Sequence, residues 1–220
     1  MKQLAGFGAA IAFSALLATS SVAFASNPSE ILTKATATAE HMKSDPAFGA
    51  ARSMVDRARG MLIVPNLTKG GFIFGAEGGD GVLVAKTPTG WSEPAFYGMG
   101  SASFGLQAGL EKAEIVMLIM SDKAMSALQT GSFKVGAGAG LTVATLSGGA
   151  EAATGDIVVW TSATGAYGGL TLNGSSIKPH DDWNKSFYGR PVTVQEILAG
   201  KVQNPSTLAL RNELSKFKSG

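Results

Sequence analysis

The chain has 220 residues and a formal net charge of +2, so it has no strong overall field that would attract nucleic acid. It contains no cysteine, which excludes disulfide bonds, thiolate chemistry and cysteine-ligated zinc. Its length is sufficient for one substantial hydrophobic core.

Residues 1–25 have the pattern of a signal peptide. Lys2 supplies a positive start, residues 4–17 form an apolar run, and Ala23 and Ala25 have the spacing of small residues before a cleavage site. The run is short for a membrane-spanning helix of about 20 residues. We therefore expect export to the periplasm, cleavage after Ala25, and a single mature domain over residues 26–220.

Residues 27–60 are predicted to be helical. Asn27 and Pro28 have the pattern of an N-cap followed by a proline at the first helical position. Apolar residues then recur at helical spacing from Ile31 to Met42. A second helix is predicted to start after Asp45 and to end at Gly60.

Residues 61–178 alternate short apolar runs with glycine clusters, which predicts an antiparallel β meander. The run 113–120 is apolar on both faces and is predicted to be a central strand. One helix is predicted to begin with Ser121 or Asp122 as its N-cap and to end before Gly131. The predicted strands are 61–65, 71–76, 81–86, 94–99, 102–110, 113–120, 132–137, 140–146, 156–162 and 167–173.

The last part of the chain returns to helical patterns. Thr193 and Glu196 have the spacing of a capping box, and Pro205 is predicted to begin a final helix. The predicted fold class is therefore α+β. Its core would be a glycine-rich, curved antiparallel sheet or partly closed β-barrel, flanked by N-terminal and C-terminal helices.

The glycine-rich segment 69–86 raises the question of a phosphate-binding loop. Such a loop requires a helix directly after the glycines, because helix amides hold the phosphate. Here the glycines are followed by Val82 and Leu83, which have the pattern of a strand. The sequence favours a β-hairpin, with strands at 72–76 and 81–86 and a turn at 77–80.

Glycines also fall inside the predicted strands, as at Gly98, Gly100 and Gly105. Tight curvature of the sheet is one explanation. The other is a face without side chains, which another backbone, a helix or an acyl chain can approach closely.

Residues suited to catalysis or metal binding do not form a recognisable constellation. His180, Asp181 and Asp182 could be metal ligands, but adjacent positions seldom converge on one ion, and a polar turn is the simpler interpretation. Glu77, Asp80, Glu93 and Glu111 lie beside turn residues, where solvated charges are usual. We expect no enzymatic activity, no metal and no cofactor.

Six segments, in this order, resemble the SYLF domain, also called the Ysc84-type domain, over about residues 51–200. They are ARGMLIVPNLTKGGFIFGAEGGDGVLVAK, GWSEPAFYGMG, SFGLQAGLEKAEIVMLIMSDKAMSAL, FKVGAG, GGLTLNGSSI and FYGRPVTVQEIL. The resemblance implies a non-catalytic lipid-binding domain, since eukaryotic SYLF domains bind phosphoinositide membranes and fungal members also bind actin. The lysine-rich N-terminal segment of eukaryotic members is reduced here to Lys34 and Lys43, which argues against actin as a partner.

A membrane surface is predicted around the second helix. Clustered cations near an anionic bilayer contribute about 1 kcal/mol each, and aromatic side chains can add insertion. The resulting hypothesis is periplasmic binding to anionic phospholipid; the alternative is a protein–protein interaction module of the cell envelope. The predicted lipid-binding residues are Arg52, Arg57, Arg59, Lys69, Phe72 and Trp91.

Overall fold

The computed structural model describes residues 27–49, 52–71, 74–104, 110–131, 133–135, 140–146, 155–162 and 174–217. Three helices come first: α1 (Pro28–Ser44), α2 (Pro46–Gly49) and α3 (Arg52–Arg57). The predicted N-cap is confirmed, because the side chain of Asn27 accepts a hydrogen bond from the Glu30 amide at 2.9 Å. The later helices are α4 (Asp122–Gln129), α5 (Asp181–Tyr188), α6 (Val194–Leu198) and α7 (Leu208–Ser215).

The strands form one sheet in the order β6-β9-β4-β2-β1-β5-β8-β7, with β3 paired to β2. Every described pair is antiparallel except β7 with β8. The sheet curls into a half-barrel, which confirms the predicted α+β class. The strands are β1 (Gly60–Gly71), β2 (Phe74–Thr87), β3 (Gly90–Trp91), β4 (Ala95–Phe104), β5 (Leu110–Ile119), β6 (Phe133–Lys134), β7 (Val143–Thr145), β8 (Ile157–Thr161) and β9 (Ser176–Pro179).

The glycine-rich segment is part of a β-hairpin, but the predicted position of its turn is wrong. Residues 77–80 are not a turn; they lie inside β2, where Glu77 pairs with Ser101 of β4. The hairpin joins β1 to β2, and its last described pair is Gly71 with Gly75. The error arises because glycine is equally typical of turns and of strands that another backbone approaches closely. No helix follows the glycines, so this segment lacks the geometry of a phosphate loop.

β1 is also longer than predicted, because it continues through Pro65. The register of β1 shifts by one residue against both of its neighbours around Pro65 and Asn66. A bulge at this point tolerates proline, which has no amide to donate to a central ladder.

Glycines on β2 make room for this bulge. A Cβ atom at Gly81 would lie 2.3 Å from the Ile63 carbonyl oxygen, and one at Gly79 would lie 2.5 Å from that of Asn66. Gly98 has a different role, since a Cβ there would lie 2.8 Å from His180 Nε2. At these three positions glycine allows a close approach, by the backbone of β1 at Gly79 and Gly81 and by the His180 ring at Gly98, in agreement with the second explanation.

Helices cover both faces of the sheet. On the first, here called the α1 face, strand residues such as Val82 and Phe96 pack with α1, α2, α3 and α7, and with the aromatic side chains of α5. On the second, the α4 face, residues such as Leu83 and Tyr97 pack with α4 and α6. Adjacent residues of a strand point to opposite faces, so each long strand contributes to both cores.

Other predicted elements were misplaced. The predicted polar turn around His180 is instead followed at once by helix α5. The second predicted helix ends at Arg57 rather than at Gly60, which is already in β1. The predicted strand 167–173 and the predicted signal peptide lie outside the described residues. Of the helices in the described ranges, none combines the length and the hydrophobicity that crossing a bilayer requires.

Candidate functional site

Three of the predicted lipid-binding residues lie together. Arg52 and Arg57 are exposed on α3, whose apolar side chains Met54 and Val55 are buried against the sheet. Arg59 is exposed in the turn between α3 and the start of β1. We call these three residues the arginine cluster. It lies at the Gly60 end of the sheet, where β1 begins.

Two arginines of this cluster also contact other residues of the same chain. The Arg52 guanidinium donates a hydrogen bond of 3.0 Å to the Lys43 carbonyl oxygen at the end of α1, where the helix dipole favours a cation. Arg59 Nε lies 3.0 Å from Asp122 Oδ1, and both side chains are largely exposed. An exposed pair of this kind contributes little to stability, so Arg59 remains available to an external anion.

Lys69 belongs to the opposite, Gly71 end of the sheet. Lys69 lies in β1, paired through its backbone with Glu77 of β2 and Glu111 of β5. Ten residues of extended chain separate it from Arg59, which corresponds to about 30 Å. Phe72 lies outside the described residues. The structure therefore does not bring Lys69 together with the arginine cluster.

Trp91 lies in the core rather than on the surface. It is 3% exposed, and Lys86 Nζ lies 4.7 Å from the centre of its ring. Arg211 Nε of α7 donates a 3.0 Å hydrogen bond to the Trp91 carbonyl oxygen. Trp91 thus joins β3 to the C-terminal helix and offers no exposed ring for insertion into lipid.

The buried carboxylate of Glu93 extends this junction. It accepts hydrogen bonds of 2.8 Å from Arg211 Nη1 and from the Thr207 hydroxyl group. Nearby, the Tyr188 hydroxyl group donates to the Pro94 carbonyl oxygen at 2.7 Å. Burial, and then the charge of Glu93, raise the pKa of Tyr188 well above its ordinary value. These groups hold α5 and α7 against residues 91–94.

Both histidines connect helices to the sheet through carboxylates. His180 Nε2 lies 2.8 Å from Asp80 Oδ1, and its ring stacks on Trp183 with centroids 4.6 Å apart. His41 Nδ1 lies 2.5 Å from Glu114 Oε2. Within the described ranges, no three metal-ligating side chains converge.

A shallow cavity of about 350 Å³ lies between α1 and the start of α7. Its lining consists of small or neutral side chains such as Thr36 and Ala37, with Glu40 as its ionisable residue. Leu208, next in sequence to the lining residue Ala209, is 52% exposed. This composition provides no constellation for catalysis.

The structure reveals a second cationic surface, which the sequence analysis missed. One transverse row of paired residues runs across six strands on the α1 face, with a lysine at each end. Lys178 lies two residues from Ser176 on β9 and so projects from the same face. Residues that form such a row are far apart in sequence, so only the strand register identifies it. The row is Lys134, Ser176, Gly100, Gly78, Thr68 and Lys112.

Known proteins show similarity to much of this chain. The sequence model of one protein family, described as Ysc84, Las17-binding protein actin regulator, matches residues 100–217. Protein YSC84 of Saccharomyces cerevisiae is 30% identical over 177 residues, which cover 74% of this chain and 38% of that protein. LAS seventeen-binding protein 3 of the same species is 28% identical over 180 residues, covering 76% and 39%.

Animal relatives share the same region. The human SH3 domain-containing YSC84-like protein 1 is 29% identical over 161 residues, which cover 70% of this chain and 46% of that protein. The matched region thus spans less than half the length of these curated relatives. No solved structure matches the chain significantly. The family match covers more than half of the chain and confirms the resemblance in the six segments: this protein belongs to the Ysc84 (SYLF domain) family.

Proposed function

We propose that this protein is a non-catalytic binding domain that attaches to anionic phospholipid membranes through its arginine cluster. The observation that carries the proposal is the arrangement of α3. Its apolar side is buried while Arg52 and Arg57 remain exposed, and Arg59 follows in the next turn. Three cations on one short segment are suited to phosphate headgroups.

The strength of this attachment follows from its charge. At about 1 kcal/mol for each cation near an anionic surface, three arginines give weak and reversible binding. Asp56 and Asp122 in the same region reduce the local positive charge further. Binding should therefore decrease steeply as salt screens the surface.

A non-catalytic role is supported by the contacts of the ionisable residues considered from the sequence. The carboxylate of Glu77 accepts a hydrogen bond from Ser101, Asp80 pairs with His180, and Glu93 binds Arg211. These contacts join strands and helices to one another. They give each of these carboxylates a structural role.

Co-sedimentation with vesicles tests the proposal. The protein should bind vesicles of phosphatidylglycerol and phosphatidylcholine, and binding should be several-fold weaker with phosphatidylcholine alone. R52Q/R57Q should reduce binding to the anionic vesicles about thirty-fold, because two cations of about 1 kcal/mol each are removed.

The matched control is K185Q/K201Q, which also removes two exposed positive charges but changes α5 and the segment after α6 instead of α3. This variant should bind like the wild type. Equal binding to anionic and neutral vesicles, or equal losses in the two double variants, would contradict the proposal.

The proposed location is the periplasm, with the signal peptide removed. Mass spectrometry of the protein from a periplasmic fraction should give Ser26 as its first residue. A cytoplasmic protein that retains Met1 and Lys2 would overturn this part of the proposal.

A protein–protein interaction module is the second candidate function. Its support comes from the relatives, since the name of LAS seventeen-binding protein 3 describes that protein as binding another protein. Isolation of a stoichiometric protein partner in the absence of lipid would support it. Loss of that partner in a variant that still binds vesicles would separate the two functions.

A further inference from the structure

The second cationic surface lies on the α1 face, toward the Gly71 end of the sheet and past the parts of the strands that the helices cover. Lys112, Lys134 and Lys178 are all exposed there, and none of their side-chain ammonium groups forms a hydrogen bond or an ion pair with another described residue. Lys112 and Lys134 are five strand spacings apart, which corresponds to about 24 Å along the sheet. We call these three lysines and the row between them the lysine row.

The carboxylates that border the lysine row on the same face have partners of their own. Asp80 pairs with His180, and Glu114 accepts hydrogen bonds from Thr38 and His41. The paired residues that form the row include no carboxylate. Asp181 and Asp182 are exposed at the start of α5, beyond His180. The lysine row therefore has positive charge at both ends and no carboxylate between them, which suits an anionic ligand.

The middle of the row is almost without side chains. Among the described residues, a Cβ atom at Gly78 or Gly100 would have one neighbouring atom within 4 Å, a backbone carbonyl oxygen at 3.6 or 3.5 Å. No described side chain therefore fills the space directly above these glycines, which leaves room for a ligand. A ligand backbone can approach the sheet closely here, between lysines that contact its charged groups.

The surrounding helices favour a narrow ligand over a flat one. α1 contacts Glu114, two residues from Lys112, and His180, which directly precedes α5, lies over Gly98, two residues from Gly100. A packed helix rises about 10 Å above the sheet. A flat bilayer would meet these helices before it reached the glycines, whereas a single extended chain can lie beside them.

We propose that the lysine row binds an acidic, extended peptide segment of a partner protein. At about 3.4 Å per residue, seven residues span the 24 Å between Lys112 and Lys134. Such a segment crosses the strands, and its carboxylates contact the lysines. The inference rests on the second candidate function, protein binding, and assigns a site and a partner chemistry to it.

Fluorescence anisotropy with a labelled heptaglutamate peptide tests this proposal on the mature chain. The protein should bind heptaglutamate at low salt at least ten-fold more tightly than heptaglutamine. K112Q/K134Q should weaken binding at least five-fold, while the matched control K185Q/K201Q should leave it within two-fold. Similar affinity for the two peptides, or equal effects of the two variants, would overturn the proposal.

A second variant tests the position of the bound peptide without changing the charge of the protein. Gly78→Val places a side chain over the middle of the row, where a Cβ atom fits without a backbone clash. It should weaken heptaglutamate binding several-fold while the circular dichroism spectrum and the unfolding transition stay like those of the wild type. A folded G78V protein with unchanged affinity would contradict the proposed path of the peptide.

Two further measurements distinguish the lysine row from the arginine cluster, and an acidic peptide from other anionic ligands. K112Q/K134Q should bind phosphatidylglycerol vesicles normally, and R52Q/R57Q should bind heptaglutamate normally, so either function can fail alone. Octathymidylate should bind more weakly than heptaglutamate. If it binds more tightly, with the same dependence on Lys112 and Lys134, the surface prefers a phosphodiester chain to an acidic peptide, and the proposal is overturned.

Discussion

The carboxylate of Glu93 shows how single residues hold the C-terminal helix in place. Its side chain is 4% exposed, and its oxygens bind Arg211 and Thr207 from the C-terminal segment. A buried charge that loses its partner is strongly destabilising, whereas a neutral replacement of the whole pair is tolerated better.

Arg211→Met should lower the free energy of unfolding by about 2–3 kcal/mol, because it leaves the Glu93 carboxylate buried without its cation. The double variant E93Q/R211M should recover part of this loss. Urea denaturation measures both. If R211M is as stable as the wild type, the ion pair does not anchor α7.

Glycine at the bulge is required for a different reason, the close approach of two backbones. Gly81→Ala should destabilise the protein by about 2–3 kcal/mol, because its Cβ atom would lie 2.3 Å from the Ile63 carbonyl oxygen. Gly78→Ala on the same strand, with its nearest atom at 3.6 Å, is the matched control and should change stability by less than about 0.5 kcal/mol. Thermal unfolding of the two variants should differ accordingly; equal effects would contradict the bulge geometry.

At the scale of elements, α6 depends on its capping box. The Thr193 hydroxyl group accepts a hydrogen bond from the Glu196 amide, and the Glu196 carboxylate accepts one from the Thr193 amide at 2.9 Å. Hydrogen bonds from the Thr193 backbone and side chain lower the pKa of Glu196.

Thr193→Ala should therefore reduce stability by about 1 kcal/mol, measured by urea denaturation. The pKa of Glu196, followed by NMR, should rise toward its ordinary value. Asn212→Ala, at an exposed position inside α7, is the control and should change stability by less than about 0.5 kcal/mol. An unchanged Glu196 pKa in T193A would show that the capping box does not form in solution.

Elements with local signals were predictable from the sequence. The caps at Asn27, Ser121 and Thr193 are each confirmed by a side-chain hydrogen bond. The turn of the β1–β2 hairpin was not predictable, because the need for Gly79 and Gly81 comes from the bulge in another strand. Helix α5 was missed because His180 forms no side-chain cap with it; the helix is held instead by its contacts with the sheet.

At the scale of the whole molecule, paired carboxylates make stability depend on pH. Burial raises the pKa of Glu213, but hydrogen bonds and charges from Lys216 and Lys43 outweigh this effect, so its pKa lies below the ordinary value of 4.5. A lowered pKa in the folded state contributes stability above the unfolded pKa and loses it as the pH falls below that value.

Glu213→Gln should accordingly be less stable than the wild type at pH 7, because Lys43 and Lys216 lose their common partner. The difference should shrink as the pH is lowered below the ordinary carboxyl pKa of 4.5, because the Glu213 carboxyl then binds a proton more readily in the unfolded chain than in the folded one. Urea denaturation at several pH values measures this trend. A difference that is constant or grows on acidification would contradict the assigned role of Glu213.

The candidate surfaces also differ in how far the sequence predicts them. The arginine cluster falls within eight residues of the chain, so its charge is visible in the sequence. The sequence does not show that Lys69 lies about 30 Å away along β1, or that Trp91 is buried. The lysine row joins residues from six strands, and its existence depends on the register of five strand pairs.

Hydrogen–deuterium exchange on vesicle-bound protein tests the central claim most directly, since it locates the membrane contact on the folded chain. With phosphatidylglycerol vesicles, exchange should slow over residues 52–59 and remain unchanged over residues 66–71 and 74–80. Slower exchange at the Gly71 end of the sheet, with no change over residues 52–59, would contradict the proposal that the arginine cluster is the membrane-binding surface.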